Sequence, residues 1–251
     1  MAGHSKWSNI KHRKAAQDAK RGKIFNKLIR ELTVAARQGG HDPEDNPRLR
    51  AAIDKALAGN MPKDTVQRAV DRGAGNTDGD DMEEVVYEGY GPEGVAVLVE
   101  AMTDNRNRTV SEVRHAFNKH GGNLGTSGSV AFMFHKQGRF TLPEGIGEEA
   151  AMEATLEAEP EDIERLEDGR LEVVTTPESF GAVKDALVAA GLEPEASDVG
   201  LFPDNYTRID DAELGRRIVR LVDRLEDLDD VQNVYTNADF DDAILESLDD
   251  A

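Results

Sequence analysis

The chain has 251 residues, of which 38% are hydrophobic, 5% aromatic and 32% charged, and its formal net charge is −20. That is a globular composition rather than a disordered one, and the absence of cysteine excludes a disulfide framework, thiol catalysis and thiolate-bound zinc. No apolar run approaches the ~18 residues of a membrane helix, and the first residues lack the apolar h-region of a secretory signal, so a cytoplasmic protein without a membrane partner is expected.

The charge is unevenly spread. Residues 1–72 carry 16 Lys+Arg against 8 Asp+Glu, and the remainder 14 against 42. A basic segment on a self-repelling acidic body is the pattern expected of a phosphate-binding end, although the acid alone would also serve solubility. Residues 1–16 are too polar for a core. Over 17–38, Phe25, Leu28, Ile29, Leu32 and Ala36 keep helical spacing, which sends Lys20, Lys23, Lys27, Arg30 and Arg37 to the opposite face. "GGHDPEDNP" interrupts the helix. Asn46 is a candidate N-cap with Pro47 at the first helical position, Leu49, Ala52, Ile53, Ala56 and Leu57 form the next stripe, and Gly59 ends it. A third helix is expected over 62–72, with Val66, Ala69 and Val70 inward and Gly73 as its stop before a linker. Residues 1–77 thus read as a small helical unit with a basic exterior.

From Glu84 the period changes. "EVVYEGY" and "VAVLVEA" read as strands joined by "GPEG". In "TDNRNRTVSEVRHAFNKHGG", Thr109 and Glu112 have capping-box spacing and Val110, Val113, Ala116 and Phe117 line one face, with Gly121 as the end. "SVAFMFH" reads as a central strand, with "KQG" turning it into "RFTL". A helix near 147–158, a strand at 171–176, a helix over 177–190 and a strand within 193–203 follow. Leu214, Ile218, Leu221, Val222, Leu225 and Leu228 mark a long amphipathic helix, "VQNVYTN" is the last expected strand, and the acidic stretch from Ala238 reads as a solvated tail. The fold class is α+β: a three-helix unit, then two small α+β modules.

Few motifs carry chemistry. "GYGPEG" spells G-x-G-x-x-G but sits between two strands, so it reads as a hairpin turn rather than a dinucleotide site. "GGNLGTSGS" lacks the Gly-Lys-Ser/Thr ending of a nucleotide-binding loop, and "NTDGDDMEE" lacks calcium-loop spacing. The six histidines have no metal-ligand spacing, and no nucleophile elbow is legible. No catalytic residue, metal, cofactor or small-molecule substrate is therefore expected. What remains is the basic arm. Lys6, Lys11, Arg13, Lys14, Lys20, Arg21, Lys23, Lys27 and Arg30 crowd 25 residues, with Trp7 and His12 among them. Cations attract phosphates and an indole can stack on a base; Trp7 reads equally as a stacking platform or a hydrophobic anchor. Arg106 and Arg108, at a strand-to-helix junction, are a second candidate pair, since a helix N-terminus favours anions, with loop and capping chemistry as the plainer account. No helix-turn-helix signature is present.

"MAGHSKWSNIKHRKAAQDAKRGKIFNKLIRE", "NMPKDTVQRAV", "YEGYGPEGVAVLVE", "TDNRNRT" and "GGNLGTSGSVAFMF" resemble the YebC/PmpR family over nearly the whole chain, least so in 139–200 and the tail. The resemblance implies a helical N-terminal domain (1–77) and two ferredoxin-like α+β modules. The second comprises 78–136 and 205–238, the third (137–204) is inserted into it, and an acidic tail occupies 239–251. It also implies a cytoplasmic, non-enzymatic, DNA-binding regulator of transcription. The alternative it carries is a ribosome-associated translation factor that binds ribosomal RNA through the basic arm.

Overall fold

The computed structural model describes residues 21–75, 82–166, 168–241 and 244. They form an α+β fold organised as two compact units. The first unit draws on Lys14–Ser127 and Arg217–Val234, the second on Gly128–Arg216 and Tyr235–Ala251, in each case through their described residues. The chain leaves the first unit after Ser127 and re-enters it at Arg217, so an α+β module is inserted in another.

The first unit begins with three helices, α1 (Arg21–Gly39), α2 (Pro47–Ala58) and α3 (Lys63–Ala74). Their expected stripes close on one core, in which Leu28, Leu32, Ala36, Leu49, Ala56, Val66 and Val70 are buried. Burying a leucine such as Leu32 or Leu49 contributes about 1.5–3 kcal/mol. Asn46 caps α2 as expected, accepting from the Leu49 N–H at 3.1 Å, and its amide donates to the Ala35 and Gly40 carbonyls, each at 2.8 Å. One side chain thus satisfies orphan groups at the end of α1 and the start of α2. Two expectations fail here. Leu57 is 37% exposed rather than part of the stripe. Gly73 does not stop α3 but lies inside it, where a Cβ would collide with the Thr33 carbonyl and stand 2.8 Å from the Ala36 Cβ. A close approach of two helices, not a helix end, requires that glycine.

The sheet of this unit has the order β3-β1-β2-β9, with β1 (Glu83–Tyr90), β2 (Ala96–Thr103), β3 (Asn123–Leu124) and β9 (Val231–Thr236). β1 and β2 are antiparallel, pairing Gly89 with Val97, and "GYGPEG" is their hairpin turn. Helices α4 (Arg106–Lys119) and α7 (Ala212–Glu226) lie on one face of the sheet, as Phe117 packs against Gly89 and Leu221 against Gly91. The N-cap of α4 is Asn105, which accepts from the Arg108 N–H at 3.1 Å, not Thr109. Thr109 lies one turn inside and is fully buried, because its hydroxyl is engaged by the network described below.

In the second unit, β4 (Phe134–Leu142), β5 (Asp162–Arg165), β6 (Leu171–Thr175) and β7 (Ala196–Pro203) form an antiparallel sheet of order β5-β6-β4-β7. α5 (Glu148–Thr155) and α6 (Phe180–Ala189) cover one face through Ala151, Val183 and Leu187 over Phe140, Leu142, Leu171 and Val173. Of the expected central strand "SVAFMFH" only Phe134 and His135 are extended: Ala131–Met133 form a short 3-10 turn, and the interior strand β4 starts at Phe134 and runs straight through "KQG". Gly138 suggests a turn by its residue type alone. Its hydrogen atom instead makes room for the Phe180 ring of the helix layer and the methyl of its cross-strand partner Thr175, for a Cβ there would collide with Phe180 and come 2.8 Å from Thr175. Strand β5 has no counterpart among the expected elements.

The other departure is at the C-terminus. β8 (Thr207–Ile209) and β10 (Ala238–Phe240) form a parallel pair, Phe240 aligned with Ile209. Phe240 is 1% exposed and Ile244 is also buried. The stretch expected to be a solvated tail therefore opens with a strand, because two apolar side chains among its acids reach a core.

Candidate nucleic-acid interface

Of the expected phosphate-binding residues, Lys6, Trp7, Lys11, His12, Arg13, Lys14 and Lys20 lie outside the described residues, as does the side chain of Arg21, which opens α1. The structure places the other five, all in the first unit. Lys23 donates to a carboxylate oxygen of Asp227 at 3.1 Å and to its carbonyl at 3.2 Å. Lys27 donates to the Glu226 carbonyl at 2.9 Å. These contacts anchor one flank of α1 on the C-terminal end of α7, where the free carbonyls and the helix dipole favour cations.

Arg30 and Arg108 meet at Asp230, whose side chain is 3% exposed. Arg30 Nη1 donates to Asp230 Oδ1 at 2.9 Å and to the carbonyls of Asp229 (2.6 Å) and Met102 (3.2 Å). Arg108 Nη2 donates to Asp230 Oδ2 at 2.8 Å and to Asp104 at 2.7 Å. The hydroxyls of Thr109 (2.7 Å) and Thr103 (3.1 Å) donate to the same Oδ2. Burial would raise the Asp230 pKa, but the hydrogen bonds from Arg108 and Thr109 and the charges of Arg108 and Arg30 outweigh it and hold it below the ordinary carboxylate value. Arg108 is correspondingly raised, first by its hydrogen bond to Asp230 and then by that to Asp104. Arg106 is 65% exposed and stands 3.5 Å from Glu83. The start of α4 thus has its cations matched by Glu83, Asp104 and Asp230. The geometry there ties α1, β2, α4 and the entry to β9 together; it does not present an open anion pocket.

A second guanidinium cluster serves the same end. Arg48, on α2, donates to both carboxylate oxygens of Glu31 (2.7 and 3.1 Å) and to Glu84 at 2.6 Å. Its pKa rises chiefly through the Glu31 bond, against the opposing cost of burial.

Sequence reading passes over two features. Asp230 is one acid in "EDLDD", with no local signal that it is buried. On α7, Arg217, Arg220 and Arg224 are exposed, and their i, i+3, i+7 spacing is visible in the sequence but hidden in the acidic remainder of the chain. Among the described residues, no group of three or more His, Asp or Glu is placed to hold a metal ion, and no helix is long and apolar enough to cross a membrane.

Residues 5–76 match the model of the TACO1/YebC protein N-terminal domain, and residues 82–238 that of the TACO1/YebC second and third domain. The chain belongs to the TACO1/YebC family. Among its relatives, a protein of Chromohalobacter salexigens is 79% identical over 248 residues, covering 99% of this chain and 100% of that one. A protein of Idiomarina loihiensis is 64% identical, covering both chains completely. Each is named a probable transcriptional regulatory protein. The crystal structure of a conserved hypothetical protein from Aquifex aeolicus has the same fold. It is 46% identical with a TM-score of 0.76, covering 90% of this chain and 93% of that one.

Proposed function

We propose that this TACO1/YebC-family protein is a non-enzymatic, cytoplasmic regulator of transcription that binds DNA. The observation that carries the reading is the naming of end-to-end relatives as probable transcriptional regulatory proteins. The charge distribution supports it physically. Lys6, Lys11, Arg13, Lys14, Lys20 and Arg21 supply the phosphate contacts, with His12 beside them and Trp7 as a stacking or anchoring residue. The acidic remainder, net negative as a whole, favours phosphate binding at the basic end. In this reading Lys23, Lys27, Arg30, Arg106 and Arg108 hold the framework of the first unit, since carboxylates or helix-end carbonyls of that unit already partner them. No cofactor or small-molecule substrate enters.

Crosslinking in cells followed by sequencing of the bound nucleic acid tests this reading. Promoter-proximal DNA is the expected recovery. Recovery of ribosomal RNA without enrichment of DNA would contradict it.

A further inference from the structure

The cations at the start of α4 are matched by acids; those at its other end have no such partner among the described residues. His115 and Lys119 are exposed on the last turns of α4, and His120 follows as its C-cap. Arg217, Arg220 and Arg224 are exposed on α7 and fall within ~60° of one another at 100° per residue. The two sets adjoin. A Cβ on Gly121, just past α4, would stand 2.6 Å from Arg217 Nη2. The pKa of His120 is lowered, first by burial and then by the charges of Lys119, Arg220, Arg224 and His115. The side chains of His115, Lys119, Arg217, Arg220 and Arg224 have no hydrogen-bonding or ion-pairing partner among the described residues. The acids nearest in sequence are Glu112, one turn before His115, Glu213, one turn before Arg217 on the same face, Asp223, at the edge of the arginine stripe and with interactions of its own, and Glu226 and Asp227, just after Arg224, the latter paired with Lys23.

Lys119, Arg217, Arg220 and Arg224, mutually repelling and without a side-chain partner among the described residues, gather on one face of a chain with net charge −20, where an anionic partner turns their repulsion into an asset. The stretch from Arg217 to Arg224 spans ~10 Å of helix, enough to meet successive phosphates. We propose that the outer face of α4 and α7 is a second phosphate-binding surface, fitted to the backbone of duplex DNA and separate from the N-terminal arm. This surface deepens the reading of the protein as a DNA binder and rests on it. It supplies backbone contacts, which position the protein on DNA without specifying sequence.

The test uses the full chain and a labelled duplex of mixed sequence, with affinity measured by fluorescence anisotropy across a salt series. The triple variant R217Q/R220Q/R224Q should bind at least ~10-fold more weakly at low salt and lower the slope of log K against log salt by up to ~2.7, at ~0.9 for each phosphate that is no longer neutralised. The charge-preserving R217K/R220K/R224K should restore most of the affinity, which separates charge from folding. Bound phosphate should also raise the His120 pKa, read from its ring resonances with and without duplex. Wild-type affinity and slope in the glutamine variant, with binding abolished instead on neutralising Lys11, Arg13 and Lys14, would overturn this surface and leave the DNA-binding reading standing. No duplex binding by the native protein would overturn both. Binding that depends on the three arginines but selects a structured RNA over the duplex would overturn DNA as the occupant.

Discussion

The guanidinium of Arg30 donates to the carboxylate of Asp230 at 2.9 Å, joining residues 200 positions apart in the chain. Arg30 comes from the first helix and Asp230 from the turn that enters β9, and Arg108 closes on the carboxylate's other oxygen at 2.8 Å. A buried carboxylate without partners would be costly. Here it has two guanidinium and two hydroxyl donors, so it fixes how the helical part, the β2–α4 junction and β9 of the first unit fit together.

Replacing Asp230 with Ala leaves Arg30 and Arg108 facing each other without a counter-charge. Breaking a buried pair from one side costs about 3–5 kcal/mol, and because both arginines keep some water access the lower end is expected. Denaturant unfolding should show the loss. A change under ~0.5 kcal/mol would mean that the network does not hold the unit together.

The same carboxylate predicts a pH signature. Its pKa in the folded protein is lowered, through the Arg108 and Thr109 hydrogen bonds and the arginine charges overcoming burial. The unfolded chain, near 3.9, therefore binds the proton more readily than the folded one. The stabilisation is complete above that value and is lost as pH falls through the folded pKa. The stability gap between the native protein and D230N should be constant from about pH 7 to 5 and close in more acidic solution. A gap that persists unchanged to pH 2 contradicts the assignment.

Gly73→Ala tests the helix contact. Helix propensity alone favours alanine by about 0.5–1 kcal/mol. The added methyl would meet the Thr33 carbonyl and the Ala36 side chain, and overpacking of this kind costs about 1–3 kcal/mol. A fall in Tm is expected. A rise would show that α1 and α3 can move apart freely.

The C-terminal stretch gives a further stability test. Phe240 is almost fully buried and belongs to β10, so Phe240→Ala should cost about 3–5 kcal/mol, as for other buried aromatic truncations. Unchanged denaturant stability would restore the reading of this stretch as a solvated tail.

These residues also show which parts of the fold can be read from sequence. The stripes of α1 to α3 and the β1–β2 hairpin are legible because their signals are local: apolar spacing, the Asn46-Pro47 start, a glycine-rich turn between two strands. Gly73 and Gly138 mislead because a glycine that ends an element and one that admits a neighbouring layer look alike in sequence. Only tertiary contact tells them apart. Thr109 resembles a cap for a related reason: its hydroxyl serves Asp230, 121 residues away. In the candidate interface, counting charge over long segments brings out the basic arm. It also submerges Arg217, Arg220 and Arg224, whose grouping with His115 and Lys119 depends on two helices sharing one face of a sheet.

The most direct test of the account is the salt dependence of duplex DNA binding by the native protein and by a variant with Lys11, Arg13 and Lys14 changed to Gln. The account predicts weaker binding by the variant and a slope of log K against log salt reduced by up to ~0.9 for each phosphate that the variant leaves unneutralised. Equal affinity and equal slope for the two proteins would contradict it.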